Sequence, residues 1–455
     1  MNISSLVVKQ KDYFYNGNTR NIIGRKKYLQ KLYEGIQRYE DEIFQALKLD
    51  LNKSENESYT TEVGYTLKEI SFICKHLSSW SKPTRVKTAI THIGSKGKVV
   101  PEPYGVTLVI APWNYPFQLA IAPLVGAIAA GNTVVLKPSE LTPNVSSIIT
   151  KLVREVFPEE LVAVVEGGVE ESTILLEQPF DYIFFTGSTS VGKIVMEAAA
   201  KQLTPLTLEL GGKSPCIVHR DAKLQLAARR IVWGKFLNAG QTCVAPDYIY
   251  VHKSVKDQFM KELRNEIRNQ FGEKPLQNEK YVQIVSERHF NRLLRFLEEG
   301  ETVIGGSYSQ DTLHIEPTVL MNISWEHPIM QEEIFGPILP ILEYDDIEEI
   351  IRIVQKQPKA LALYVFSESK DVQEMVTRNI PFGGGCTNDT VYHLASPYLP
   401  FGGVGPSGLG SYHGEQSFRT FSHYKSILSQ TTTFDMKIRY ASTKSALKFI
   451  RKLLK

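Results

Sequence analysis

The stretch FLNAGQTCVAPDY, residues 236–248, sets Cys243 between a run of small residues and a proline. Two readings of it stand. A free cysteine is among the most buried residue types and commonly packs as a small hydrophobe. A reactive one needs a lowered pKa or a neighbouring base, together with donors for the oxyanion it creates. Other stretches offer such partners. In APWNYP, residues 111–116, Asn114 carries a neutral amide N–H suited to an oxyanion, although Asn in such a setting also makes turns. In LELGGKSP, residues 208–215, Glu209 sits in an otherwise apolar strand ahead of Gly211 and Gly212. A carboxylate there is costly unless it is used or paired. With a raised pKa it is a competent general base; the plainer alternative is a salt bridge across a domain boundary.

FFTGSTSVGK, residues 184–193, reads as strand, glycine turn and helix. Gly187 permits a tight turn, and Ser188 and Thr189 stand at a helix N-terminus, an end that attracts pyrophosphate. The G-x-x-x-x-G spacing is neither the GxGxxG dinucleotide fingerprint nor a P-loop. LKPSE, residues 136–140, closes another strand, and its Lys137 and Glu140 either reach the ribose of a bound nucleotide or stand as ordinary surface charges. QEEIFGP, residues 331–337, places two carboxylates, one of them Glu333, beside Phe335 and a Gly-Pro turn; by itself it reads as an exposed turn.

These residues need elements to hold them. From 105 to 210 apolar strands alternate with helices. The strands are VTLVIAP, TVVLKP, LVAVVEG (161–167), YIFFTG (182–187) and LTLELGG (206–212); the helices cover 116–130, 144–157, 170–176 and 190–201. Continuous apolar strands between helices imply an α/β fold whose parallel sheet is covered on both faces. A second α/β stretch follows, with PCIVH, a helix LQLAARRIVWGKFLNAG ending at Gly240, YIYVH, helices around 254–270 and 283–299, LALYVFS and GGGCTND. Residues 1–80 read as helices, 84–103 as extended chain, 401–414 as a structured glycine-rich loop, and 417–430 ends in a strand.

A chain of 455 residues is long enough for two or three domains. Hydrophobic residues at 42% and charged residues at 22% describe an ordinary globular balance. The four cysteines, Cys74, Cys216, Cys243 and Cys386, show no CxxC pair and no clustering with histidine. Neither a disulfide framework nor a metal site is expected, and a reducing cytoplasm fits best. The N-terminus lacks a signal peptide's apolar core, and no apolar run reaches membrane-spanning length. Seven basic side chains and no acid fall in residues 436–455, so the rest of a chain with net charge +3 is mildly acidic. Nucleic-acid binding through a basic surface is not indicated.

Each stretch is weak alone, but their order is specific. PWNYP, KPSE, FTGSTSVGK, LELGGKSP, NAGQTC, EEIFGP and PFGGVGPSGLG run in sequence from residue 112 to 410. In this the chain resembles the aldehyde dehydrogenase superfamily, and its flanks resemble the class 3, fatty and aromatic aldehyde, branch. The resemblance implies NAD(P)-dependent oxidation of an aldehyde to the acid, with Cys243 as nucleophile, a thiohemiacetal and then a thioester on it, Asn114 and the Cys243 backbone N–H at the oxyanion, and Glu209 as base for hydrolysis. It implies that Lys137 and Glu140 contact the adenosine ribose, that Gly187 and Ser188 form the pyrophosphate turn with Trp113 nearby, and that Glu333 holds the nicotinamide ribose with Phe335 beside it. Glu140 would repel a 2′-phosphate, which favours NAD, yet the branch also accepts NADP. Medium- or long-chain aliphatic or aromatic aldehydes are the implied substrates.

The implied architecture is a Rossmann-like nucleotide-binding domain (1–83 and 104–210), an α/β catalytic domain (211–390), and a small bridging β-segment (84–103 and 391–430) that pairs subunits into a homodimer, followed by a basic tail (431–455). Two alternatives stay open: acyl transfer to a thiol in place of hydrolysis, against which Glu209 argues, and a non-catalytic protein on the same fold. The tail SALKFIRKLLK, residues 445–455, gathers Leu447, Ile450 and Leu454 on one helical face, extended by Ala446, Phe449 and Leu453, with basic residues opposite. It is either a peripheral contact with an anionic membrane surface or a helix packed on its own subunit or frayed at the terminus.

Overall fold

The computed structural model describes residues 2–440 and 442–454. Two open sheets organise the chain. The first has six strands in the order Gly408–Leu409, Leu206–Glu209, Tyr182–Thr186, Val106–Ile110, Thr133–Lys137 and Val162–Val164. All pair in parallel except Gly408–Leu409, which runs antiparallel to Leu208–Glu209. Val106–Ile110 and Thr133–Lys137 are buried at every position, as their unbroken apolar runs require when helices cover both faces. The helix Gln118–Ala130 is buried along its whole length and carries no charge. Its Gly126 leaves room for Ser417 and Phe421, whose atoms would lie 3.0–3.2 Å from an added Cβ. The helices of residues 22–80 pack on this side, whereas Ile3, Leu6 and Val7 of the helix Ile3–Tyr15 pack with Val106, Leu108 and Val135 on the other.

Register decides where the chemistry can lie. Ile110 pairs with Lys137 and with Phe185, and Thr186 pairs with Glu209. Four strands therefore release their chains along one carboxyl edge, which carries the loop to Asn114, then Lys137, Gly187 and Glu209. That edge is where open α/β sheets bind ligands.

The second sheet has seven strands, in the order Glu301–Ile304, Thr318–Met321, Ile338–Tyr344, Tyr248–His252, Pro215–Val218, Ala362–Phe366 and Gly384–Thr387. It is parallel apart from its first pair. The strands between 301 and 344 have no counterpart in the sequence reading: Glu301–Ile304 and Thr318–Met321 are only four residues long, and Pro340 interrupts the apolar run of Ile338–Tyr344. A third sheet of Thr84–Val86, Ser95–Pro103 and Ser422–Gln430 is antiparallel.

Two expectations change. The helix expected to run to Gly240 stops at Phe236; Leu237–Gly240 forms a tight turn in which Asn238 (φ 54°) and Ala239 (φ 51°) are left-handed. Asn tolerates that conformation, whereas for Ala it is strained, and such strain persists where surrounding contacts over-determine it. Gly240 (φ 73°) follows, and a Cβ there would lie 2.2 Å from the Gly336 carbonyl oxygen. Of the stretch 391–430, only Ser422–Gln430 enters the three-stranded sheet. The glycine-rich loop instead returns to the first sheet, since Gly408, at φ 150° and with Leu208 O 2.4 Å from a would-be Cβ, lets two backbones close up beside Glu209.

The tail forms a helix Lys444–Leu453 capped by Thr443. Ala446 is buried, while Leu447, Phe449 and Leu454 are 49%, 50% and 71% exposed. Lys455 lies outside the described residues. Among the described residues no helix is long and apolar enough to cross a membrane.

Candidate active site

Cys243 is half-buried in the wall of a cavity of about 460 Å³. Tyr65, Leu119, Trp233, Phe236 and Tyr412 give that cavity its largely apolar surface. The two loops that meet at the cysteine are tied to each other directly. Asn114 Nδ2 donates to Gln241 O at 3.1 Å, Asn238 Nδ2 donates to Asn114 O at 2.8 Å, and the Tyr115 and Thr242 hydroxyls are 2.6 Å apart. Asn114 is 3% exposed and spends one amide hydrogen on Gln241, which leaves the other for a ligand. The nearby backbone N–H groups of Cys243 and Val244 favour the thiolate.

The thiol is pushed up to about 12, first by burial and then by the charges of Glu333 and Glu209. A neighbouring base is therefore needed to create the thiolate at neutral pH. Glu209 is 2% exposed, and neither carboxyl oxygen has a hydrogen-bond partner among the described residues. Burial alone holds it well above the usual carboxylate range. It forms no salt bridge among the described residues, so the plainer alternative for this residue does not apply. Burial also raises Glu333, to about 8, with Asp247 adding to the rise and the Gly212 N–H opposing it. Its carboxylate lies where Gly211 has no side chain: a Cβ there would be 2.3 Å from Oε2.

Because Glu333 bears on the thiol, Glu333→Gln is expected to lower the pH midpoint for alkylation of Cys243 by iodoacetamide, by on the order of one pH unit. A carboxylate opposes the thiolate and an amide does not, so the sign is downward. Rates followed at the Cys243 peptide by mass spectrometry check this; an unmoved or raised midpoint would contradict it.

The remaining candidates sit along the carboxyl edge. Lys137 is 2% exposed, and its Nζ reaches Pro138 O at 3.0 Å and Glu140 Oε2 at 3.2 Å. Gly187 N–H donates to Glu209 O at 3.0 Å, and a Cβ at 187 would be 2.5 Å from the Phe185 ring. Ser188 caps the helix Thr189–Ala200, its hydroxyl accepting from Val191 N at 3.4 Å. Phe335 is left-handed (φ 49°) and packs edge-on to Trp113 with centroids 5.3 Å apart. This set fits a nicotinamide dinucleotide. Glu140, Lys137 and Glu333 supply the acceptors and the donor that ribose hydroxyls need, the helix N-terminus at the exposed Ser188 suits the pyrophosphate, and Gly187 and Gly211 leave backbone uncovered where side chains would intrude.

Several residues at the site went unnoticed in the sequence. Arg292 donates to Glu333 O (3.2 Å) and Ile334 O (2.5 Å). Lys213 reaches Ile329 O, Glu332 O and the Asp247 carboxylate, and Asp247 Oδ1 accepts from Ile334 N at 3.0 Å. Together they fix the loop that presents Glu333. Lys213 lies inside LELGGKSP and Asp247 inside CVAPDY, so proximity to those stretches was the signal available.

Comparison with known proteins agrees with this geometry. Residues 5–427 match the aldehyde dehydrogenase family. The chain belongs to that family. This aldehyde dehydrogenase is 48% identical over 447 residues to 4,4′-diaponeurosporen-aldehyde dehydrogenase of Staphylococcus aureus, covering 98% of the chain and 97% of the relative. It is 45% identical to a mouse (Mus musculus) aldehyde dehydrogenase described as dimeric and NADP-preferring, over 94% of each. A solved structure, described as the substrate-bound state of Staphylococcus aureus AldH, superposes with a TM-score of 0.98 at 47% identity over 100% of both chains. The enzyme is thus an NAD(P)-dependent oxidoreductase of the class 3-like branch that acts on aldehydes.

Proposed function

We propose that the enzyme oxidises apolar aldehydes, medium- to long-chain aliphatic or aromatic, to carboxylic acids through a covalent intermediate on Cys243. The observation that carries this is the placement of one thiol in the wall of an apolar cavity, beside an amide with a hydrogen to spare. The cysteine gives up its proton to solvent water, and its sulfur attacks the carbonyl carbon, sending the π pair to oxygen. The second Asn114 amide hydrogen and the Cys243 backbone N–H stabilise that oxyanion. NAD(P), when bound, supplies the hydride acceptor, and Lys137, Glu140, Gly187, Ser188, Trp113, Glu333 and Phe335 would hold it. Glu209 takes a proton from water, the oxygen adds to the Cys243 thioester, and the sulfur departs as the acid is released. Burial raises the Glu209 pKa, which makes its carboxylate a stronger base for that proton transfer.

The S. aureus relative's name places an aldehyde of diaponeurosporene on a closely similar chain, which supports an apolar substrate. About 0.8 kcal/mol per buried methylene leads us to expect kcat/KM to rise at least tenfold from butanal to decanal. Reduction of NAD and NADP by the purified enzyme over an aldehyde series tests this. A flat or falling series would remove the apolar reading, and no reduction with any aldehyde would remove the activity. Glu140 beside Lys137 favours NAD, so a lower KM for NAD than for NADP is expected.

We also propose a homodimer. Ser422–Gln430 and Gly384–Thr387 are edge strands of their sheets, and an uncovered edge invites pairing; a monomer at micromolar concentration in sizing experiments would exclude it. The basic tail helix, with Leu447, Phe449 and Leu454 exposed, is proposed to touch anionic membrane surfaces. Equal sedimentation with anionic and neutral vesicles would exclude that contact.

A further inference from the structure

Behind the loop that carries Asn114 lies an ion pair with no access to solvent. Lys53 Nζ is 2.6 Å from Glu62 Oε1, and both side chains are 0% exposed. Lys53 also donates to Asn114 O at 3.3 Å and stands 4.4 Å from the centre of the Tyr115 ring. The other oxygen, Glu62 Oε2, accepts from Phe117 N (2.8 Å) and Gln118 N (3.2 Å). Those are the first N–H groups of the buried helix Gln118–Ala130, whose N-cap, Phe117, supplies no side-chain cap. Asn114 is thus bracketed: its carbonyl is gripped by Lys53, and the chain just beyond it is gripped by Glu62.

The same short segment holds the other loop. Glu57 Oε1 accepts from Asn238 N at 2.8 Å, at the left-handed turn that leads into Cys243. Glu57 and Glu62 are five residues apart, a spacing that puts side chains about 140° apart around a regular α-helix. They nevertheless both reach the junction of the two loops, because residues Tyr59–Val63 are wound as a π-turn, with the Gly64 N–H donating to Tyr59 O. Gly64 is what the turn needs at its end, since a Cβ there would lie 2.9 Å from that oxygen and 2.7 Å from the Tyr59 ring. π-turns recur at functional sites. The cost of burying Lys53 and Glu62 is a further reason to look for a use, because a buried ion pair is a weak source of stability compared with apolar packing.

We propose that Lys53, Glu62 and Glu57 are positioning residues that hold the Asn114 loop against the Cys243 loop, so that the oxyanion donor and the sulfur keep their relative geometry during attack. None of the three is asked to exchange a proton with substrate. The inference rests on Cys243 as nucleophile and Asn114 as oxyanion donor. A displacement of about 1 Å in such an arrangement can cost on the order of 100-fold in rate.

The test is the pre-steady-state burst of p-nitrophenolate from p-nitrophenyl acetate, which needs no cofactor. Its amplitude reports whether Cys243 is acylated, and its rate constant reports how well the oxyanion is met. The double variant Lys53→Met/Glu62→Gln removes both charges of the ion pair together. Its burst amplitude is expected to stay stoichiometric while the burst rate constant falls at least tenfold, with the KM for the ester within twofold. A rate constant within threefold of the unsubstituted enzyme would overturn the proposal, as would a change confined to KM. If the double variant does not fold, Glu57 decides: Gln can still accept from Asn238 N and Ala cannot, so Glu57→Ala should show a burst rate at least fivefold below Glu57→Gln. Equal rates there would overturn it. No release of p-nitrophenolate by the unsubstituted enzyme, or release undiminished in Cys243→Ala, would remove Cys243 as nucleophile, and the purpose of the clamp with it.

Discussion

Replacing Cys243 with alanine is expected to lower aldehyde turnover by roughly 10⁴-fold or more, with the fold and cofactor binding retained. The magnitude follows from what is removed. Without the sulfur there is no covalent adduct, and the surviving groups contribute binding and oxyanion stabilisation only, as in other enzymes stripped of their nucleophile. The fold should tolerate the change. Cys243 is half-buried beside a cavity, so truncation enlarges existing space more than it opens a new void. Cys74, Cys216 and Cys386 cannot substitute, because none of them lines the cavity that Cys243 faces. Reduction of cofactor by Cys243→Ala, alongside its melting temperature and its fluorescence titration with NAD, checks this. Turnover within tenfold of the unsubstituted enzyme would mean that the sulfur is not the nucleophile.

Glu209→Gln is expected to separate the two halves of the reaction. Steady-state turnover should fall about 10²–10⁴-fold, the usual contribution of a positioned general base. The acylation burst should remain, and it should start at lower pH, because removing the Glu209 charge removes one of the influences that hold the Cys243 thiol up. An acyl-enzyme should then accumulate and be visible by intact mass after addition of an activated ester. The substitution should be gentle on stability. Burial already disfavours the charged form of the partnerless Glu209 carboxyl, and a neutral amide of the same shape replaces it at small cost. The pH dependence has a definite sign: a base with a raised pKa gains its active, deprotonated form as pH rises, so turnover of the unsubstituted enzyme should climb with pH. Equal losses of burst and turnover in Glu209→Gln would place the residue in acylation, and unchanged turnover would take it out of the chemistry.

Much of the site's composition could be read from local pattern. Lys137, Gly187 and Glu209 each stand at or just beyond the end of an apolar strand, and such strands declare themselves by unbroken runs of β-branched and aliphatic residues. Once those strands are parallel, their ends must share an edge. The left-handed turn at Asn238 and Ala239 is different. Nothing in FLNAG forbids another helical turn; Glu57, Asn114 and Gly336, all distant in sequence, join the neighbouring Gln241 in holding it there.

The amino-acid sequence by itself determined the alternation of strands and helices, the α/β class, and the kinds of groups available: one thiol, one amide, and carboxylates at strand ends or turns. Those are properties of runs of neighbouring residues, set by side-chain periodicity and backbone preference. Only the tertiary structure decided what the groups do to one another. It turned Glu209 from a possible salt-bridge partner into a partnerless buried acid, placed Glu333 against Gly211 with Lys213, Asp247 and Arg292 securing its loop, and returned the glycine-rich loop to the first sheet. It also made Lys53 and Glu62, which read as an ordinary charged helix, into a buried pair behind Asn114. The physical reason is the same in each case. Burial and charge proximity depend on chain segments tens to hundreds of residues apart, and no local pattern encodes which of them will meet.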